Sequence, residues 1–205
     1  VEINAEYFEG LLGRSEPGAY RRDLVRIMPL SKKLNNNSDL GGVAAFAVAD
    51  NGDLVVIGEN SRVATFFSTG IDKPIAAALS LRSGYLALAD SATVKLFDIR
   101  SGEQKFELTQ VRSRINSLDF DSSGETLLLG GTDARVYRWK FHRAVETFKE
   151  KERVLERYVG HASVISQVRY HPRERVFFSA DWSGKVNAWV RYDADAFEGE
   201  YLKNA

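Results

Sequence analysis

Residues 159–190 read VGHASVISQVRYHPRERVFFSADWSGKVNAWV, three short strand-like runs separated by turn residues. Gly160-His161 opens the stretch, and residues 164–170 alternate apolar and polar. His171-Pro172 turns the chain, 176–180 forms a second apolar run, and Ser183-Gly184 turns it again. A third run, 186–190, carries Trp189. Period-2 alternation bounded by Gly, Pro, Asp and Ser is the pattern of β-strands joined by tight turns. Three such strands cannot bury a core alone, so the pattern predicts further copies.

Three earlier segments align when Val186 is the reference. ETLLLGGTDARVYRW (125–139) places Val136 there, with Trp139 opposite Trp189. GYLALADSATVKLFDIRSGE (84–103) places Val94 and Phe97, and DLVVIGENSRVATFF (53–67) places Val63 and Phe66. The spacings of 31, 42 and 50 residues bracket a repeat of about 40. Each segment follows another alternating strand and turn, at 43–52, 74–84, 115–124 and 165–174. Four units of strand, turn, strand, turn, strand therefore occupy 43–192: 43–71, 72–111, 112–158 and 159–192.

The residues at these positions resemble the WD40-repeat family of β-propellers. The likeness rests on Gly160-His161, the DIRSGE stretch at 98–103, Thr132-Asp133, Trp139 and Trp189. It implies four-stranded blades in which a His, a Ser or Thr, a turn Asp and a Trp form a buried hydrogen-bonded set. The chain keeps that set in pieces. Asp133 and Trp139 match in the third unit, where 112–114 read Arg-Ser-Arg in place of Gly-His. His161 and Trp189 match in the fourth, where Ser183 holds the turn-Asp position. Ser91 and Phe97 stand at the corresponding places in the second unit, Asn60 and Phe66 in the first. His161, Trp189, Asp133 and Trp139 are thus expected to be structural blade residues. The expected fold class is all-β, about four WD40-like blades forming a partial or small propeller, with a short N-terminal helical and extended segment.

Two regions fall outside the repeat. Residues 140–153, KFHRAVETFKEKER, interrupt the third unit with a short amphipathic helical pattern, and 153–158 then reads as an outer strand. The segment 1–42 has helical spacing at Tyr7, Phe8, Leu11 and Leu12, a turn at Pro17-Gly18, a strand pattern at 23–28 and a loop-like 32–42. It is expected to complete the first unit by supplying its outer strand. Residues 193–205 form an acidic tail.

Bulk properties narrow the function classes. Twenty-eight basic and 28 acidic side chains cancel in 205 residues, which argues against a nucleic-acid binder that neutralises phosphates with excess Lys and Arg. No apolar run approaches the roughly 20 residues that span a bilayer. The absence of cysteine removes disulfides, thiolate metal sites and cysteine nucleophiles, and fits either the cytoplasm or a bacterial envelope. A first residue Val1 is what a processed, excised or trimmed chain would show. Catalytic motifs are missing: there is no G-x-S-x-G elbow, and 130–135 lacks the Lys-Ser/Thr of a phosphate loop. His142, His161 and His171 lack metal-pair spacing, and Asp193 and Asp195 lack the Gly and distal Glu of a calcium loop. No catalytic residue, metal, cofactor or small-molecule substrate is expected.

Partner binding leaves more to weigh. Trp182 precedes the turn between the second and third strands of the fourth unit, a loop tip where a large aromatic serves as a docking anchor or packs on a neighbouring blade. Arg112, Arg114 and Arg135, with Arg138 and Arg143, form a locally basic zone diluted by Asp119, Asp121 and Glu125. These residues predict a non-catalytic protein-interaction platform, part of a larger chain or assembly, with protein partners or self-association through open blade faces. The alternative is the propeller domain of a bacterial membrane-associated or transporter subunit, anchored by segments outside this sequence.

Overall fold

Apolar residues at every second position bury one side of a strand at a time, and this chain repeats that device throughout. The computed structural model describes residues 5–15, 20, 22–29, 42–91, 93–142, 155–173 and 175–190. Among the described residues one helix, α1 (Ala5–Gly13), precedes strands grouped into four antiparallel sheets. The first sheet holds β1 (Leu24–Pro29), β2 (Val43–Ala49), β3 (Asp53–Gly58) and β4 (Val63–Ser68) in that order. The second runs β5 (Ala76–Ser80), β6 (Tyr85–Ala89), β7 (Val94–Asp98), β8 (Gln104–Leu108). The third runs β9 (Ile115–Phe120), β10 (Leu127–Gly131), β11 (Arg135–Trp139), β12 (Leu155–Val159). The fourth has three strands among the described residues, β13 (Ile165–Tyr170), β14 (Val176–Asp181) and β15 (Val186–Val190).

Successive sheets stack face to face, with β1 beside β5, β5 beside β9 and β9 beside β13. These first strands are therefore the inner strands of an arc of blades. Three apolar clusters fill the spaces between. Phe46, Val48, Leu54 and Val56 pack with Leu86 and Leu88 and with Phe8 and Leu12 of α1. Ala87, Val94 and Leu96 meet Ile115, Leu127, Leu129 and Trp139. Leu128 and Val136 meet Ile165, Val168 and Phe177. The blades approach so closely at the last junction that a Cβ on Gly130 would lie 2.5 Å from the Ile165 side chain.

The first blade differs from the sequence expectation. Residues 24–29 supply its inner strand, not its outer one: β1 pairs with β2 (Ile27 opposite Ala47) and lies beside β5. The segment 63–68 is accordingly the fourth strand rather than the third, and the first blade extends into the segment 1–42. The reason is local. Val25-Arg26-Ile27-Met28 lacks clean alternation, and residues 30–42 separate it from its partner, so no tight turn marks the hairpin. The helical pattern at 6–13 is realised in α1, whose Phe8 sets its ring edge-on to Phe46 at 5.7 Å. The outer strand read at 153–158 is found as β12, paired with β11. The helical pattern of 140–153 (beyond residue 142) and the acidic tail 193–205 lie outside the described residues.

Candidate interaction surface

His161 enters the fourth blade from the loop between β12 and β13 and is buried. Its Nδ1 is 2.8 Å from Asp181 Oδ2 and its Nε2 is 2.6 Å from Ser179 Oγ. Trp189 Nε1 donates to the same Ser179 oxygen at 2.7 Å. An ionised carboxylate only accepts, so Nδ1–H donates to Asp181, and in the neutral tautomer Nε2 then accepts the Ser179 hydroxyl proton. Every polar atom in the chain from Trp189 through Ser179 and His161 to Asp181 is then satisfied.

Asp181 also organises the turn. Its Oδ1 accepts from Ser183 N at 2.9 Å, Ser183 Oγ at 2.5 Å and Lys185 N at 3.1 Å. The Ser183 hydroxyl, and with it the His161 donor, holds the Asp181 carboxyl down to about 2. Ser183, at the family's turn-acid position, is thus a donor to a carboxylate supplied two residues earlier. Sequence reasoning missed both Asp181 and Ser179. Their signal is a spacing of two on one strand, which puts both side chains on the same face of β14.

The third blade does not join Asp133 to Trp139. Asp133 accepts from the Tyr137 hydroxyl and from Arg135 N, and its own N donates to Ser113 Oγ at 3.2 Å. Trp139 is buried with its ring 5.7 Å from that of Phe141. Tyr137 has taken over the contact to the turn acid, and Trp139 has become core. In the second blade Phe97 is buried and Ser91 exposed, and in the first Phe66 packs edge-on beside Tyr7 while Asn60 accepts from Arg62 N.

Trp182 is 72% exposed. Its backbone N donates to Val164 O at 3.0 Å, so the main chain is pinned while the ring projects. Arg112 and Arg114 are exposed on the loop that enters the third blade, where Thr132 N donates to Arg114 O at 3.0 Å, and Arg135 is exposed at the start of β11. Arg135 lies 3.6 Å from Asp133. Arg138 does not belong to this surface: it is buried and bonded to Glu156 at 3.0 Å. Arg143 is outside the described residues.

The register allows a direct comparison between blades. Val94, Val136 and Val186 sit at the same place in β7, β11 and β15, next to the turn from the second strand. They are 1%, 0% and 66% exposed. Ala87, Leu128 and Phe178 likewise correspond, and the first two are buried while Phe178 is exposed. The face that blades two and three turn to their successors is apolar and covered, and on blade four the same face is apolar and open.

Residues 152–189 match the model of the WD domain, G-beta repeat. The fourth blade carries a WD40-type repeat, and the other three sheets share its blade architecture. That match begins just ahead of β12 and ends in β15, so one sequence repeat takes the outer strand of one blade and three strands of the next. A crystal structure of RRP9 WD40 repeats superposes with a TM-score of 0.59 at 16% identity, covering 84% of this chain and 49% of that one. A structure of U3-55K gives a TM-score of 0.60 at 16% identity, with 84% and 50% covered. Among curated proteins, ribosome biogenesis protein ytm1 of Schizosaccharomyces pombe is 26% identical over 94 residues, 44% of this chain. The match spans 21% of that relative, and the chain covers about half of each WD40 structure. No helix among the described residues is long and apolar enough to cross a membrane, and no group of three or more His, Cys, Asp or Glu among them is placed to hold a metal ion.

Proposed function

We propose that this chain is a non-catalytic protein-interaction platform that works inside a larger assembly. The observation that carries the reading is the exposure of Val186 where Val94 and Val136 are covered. A sheet face with the composition of a blade-to-blade interface, left open, calls for a further blade-type sheet against it. The solved WD40 structures support this, since each is about twice as long as the part this chain covers. The loops between successive sheets fall at residues 69–75, 109–114 and 160–164, which supports unit boundaries near 72, 112 and 159.

The rim supplies a second surface. Trp182 is a large exposed ring on a pinned backbone, and on the neighbouring blade Arg112 and Arg114 lie on the entering loop and Arg135 at the start of β11. An aromatic anchor beside cations suits a protein segment carrying acidic and apolar side chains. The name of the ytm1 relative supports ribosome assembly as the setting, and the comparisons lend no support to a membrane or transporter subunit.

A photo-reactive residue placed at position 182 or 186 in the native host tests the reading. Cross-linking to other proteins well above a control at exposed Lys105, lost at position 186 when Phe178→Lys is added, is the expected result. Cross-linking no stronger than the control at both positions would overturn it.

A further inference from the structure

The inner strands enclose a groove of about 380 Å³, lined by Arg26 and Met28 of β1, Ala78 of β5, Asp119 of β9 and Arg169 of β13. That volume lies at the lower end of the range for small-ligand pockets. Arg26 and Arg169 reach it from strands of the first and fourth blades, and the charge of each acts on the Asp119 carboxyl. Asp119 is already engaged: Oδ2 accepts from Tyr170 N at 2.7 Å, and Oδ1 is 4.0 Å from Arg169 Nη1. Asp121, also at the groove, accepts from Ser123 Oγ and from the backbone N–H groups of Glu125 and Thr126. Arg169 Nη1 also donates to Val168 O at 2.9 Å, and none of these contacts takes up the Arg26 guanidinium.

We propose that this groove binds a phosphate-type oxyanion bridged between Arg26 and Arg169. Each guanidinium presents a planar fork of donors. A single carboxylate edge satisfies one fork, whereas a tetrahedral dianion has oxygens for two. Partial burial and the nearby positive charge of Arg169 disfavour the Arg26 cation, against the Asp119 charge, and a bound anion would offset the repulsion from Arg169.

The site carries its own pH response. Burial raises the Asp119 carboxyl to about 6, against the backbone N–H of Tyr170 and the charges of Arg169 and Arg26, which favour ionisation. The other charged or titratable groups around it are Arg26 on β1, Asp121 after β9, Arg169 and Tyr170 on β13, and Arg138 on β11, whose charge acts on Tyr170. β5 contributes only alanine, leucine and serine here. Burial keeps Tyr170 neutral up to about 12, so Asp119 is the group that changes charge between pH 5 and 8. Protonation of Asp119 removes the carboxylate charge that acts on both arginines, so binding strengthens as pH falls toward 6, by at most about tenfold per pH unit for one proton.

Calorimetric titration of the whole chain at constant ionic strength tests this. Inorganic phosphate is the probe at pH 7.5, and sulfate, which keeps its charge, serves for a series from pH 7.5 to 5.5. Saturable binding is expected, weakened about tenfold or more by Arg26→Gln and by Arg169→Gln. Asp119→Asn, a gain-of-binding variant that needs no loss of fold to be read, should bind sulfate more tightly at pH 7.5 and flatten the series. No saturable binding by the wild type, or equal binding by both arginine variants with unchanged circular dichroism, overturns the proposal. A pH series that Asp119→Asn leaves unaltered overturns the part assigned to Asp119.

Discussion

His161 Nδ1 lies 2.8 Å from Asp181 Oδ2, joining the loop that enters the fourth blade to the turn that leaves its second strand. Two segments 20 residues apart are thereby fixed, with Trp189 tied in through Ser179. Replacing His161 with Ala leaves Asp181 and Ser179 each short of a buried partner. His161→Ala should lower stability by roughly 1–3 kcal/mol in a denaturant titration, with binding at the rim unchanged. Full stability combined with loss of binding would move His161 from scaffold to interaction surface.

The acid limb of the stability profile follows from the same carboxylate. Asp181 is held at about 2, below the value of an unfolded aspartate. Its contribution is complete above about pH 4 and disappears as pH falls through about 2. Asp181→Asn should therefore flatten the stability–pH curve between those values, as read by thermal melts in a pH series.

Asp119 works in the opposite direction. Its carboxyl is raised to about 6, so the folded chain takes up this proton before the unfolded chain does, and the cost of burying the charge is relieved as pH falls from about 6 to about 4. Asp119→Asn should raise the melting temperature at pH 7.5 and change it little at pH 4.5. An equal shift at both values would contradict the assignment.

How much of this was legible beforehand depends on which level carries the information. Blades two to four were readable because alternation and tight turns coincide: Val94, Val136 and Val186 keep one register in three sheets. The first blade was misread by one strand because β1 has mixed alternation and no tight turn to β2. Asp181 escaped because alignment by turn position selects Ser183, whereas the contact to His161 depends on which face of β14 a side chain occupies. The burial of Arg138 was equally hidden. It follows from β12 bringing Glu156 directly opposite it. The groove needs residues 143 positions apart, Arg26 and Arg169, and only the stacking of inner strands brings them together.

Trp182 separates binding from folding. An exposed ring on a pinned turn contributes little to stability, so Trp182→Ala should change it by less than about 0.5 kcal/mol. The same substitution should cost about 2 kcal/mol or more in affinity for the rim's protein partner, measured by titration once a cross-linked partner is in hand.

Sedimentation velocity of the 205-residue chain over a concentration series, with an apolar-surface dye, tests the open fourth-blade face most directly. Dye binding and concentration-dependent association are expected, both suppressed by the double change Phe178→Lys and Val186→Lys with the thermal melt preserved. A monodisperse species that binds no dye, unaltered by those substitutions, would contradict it.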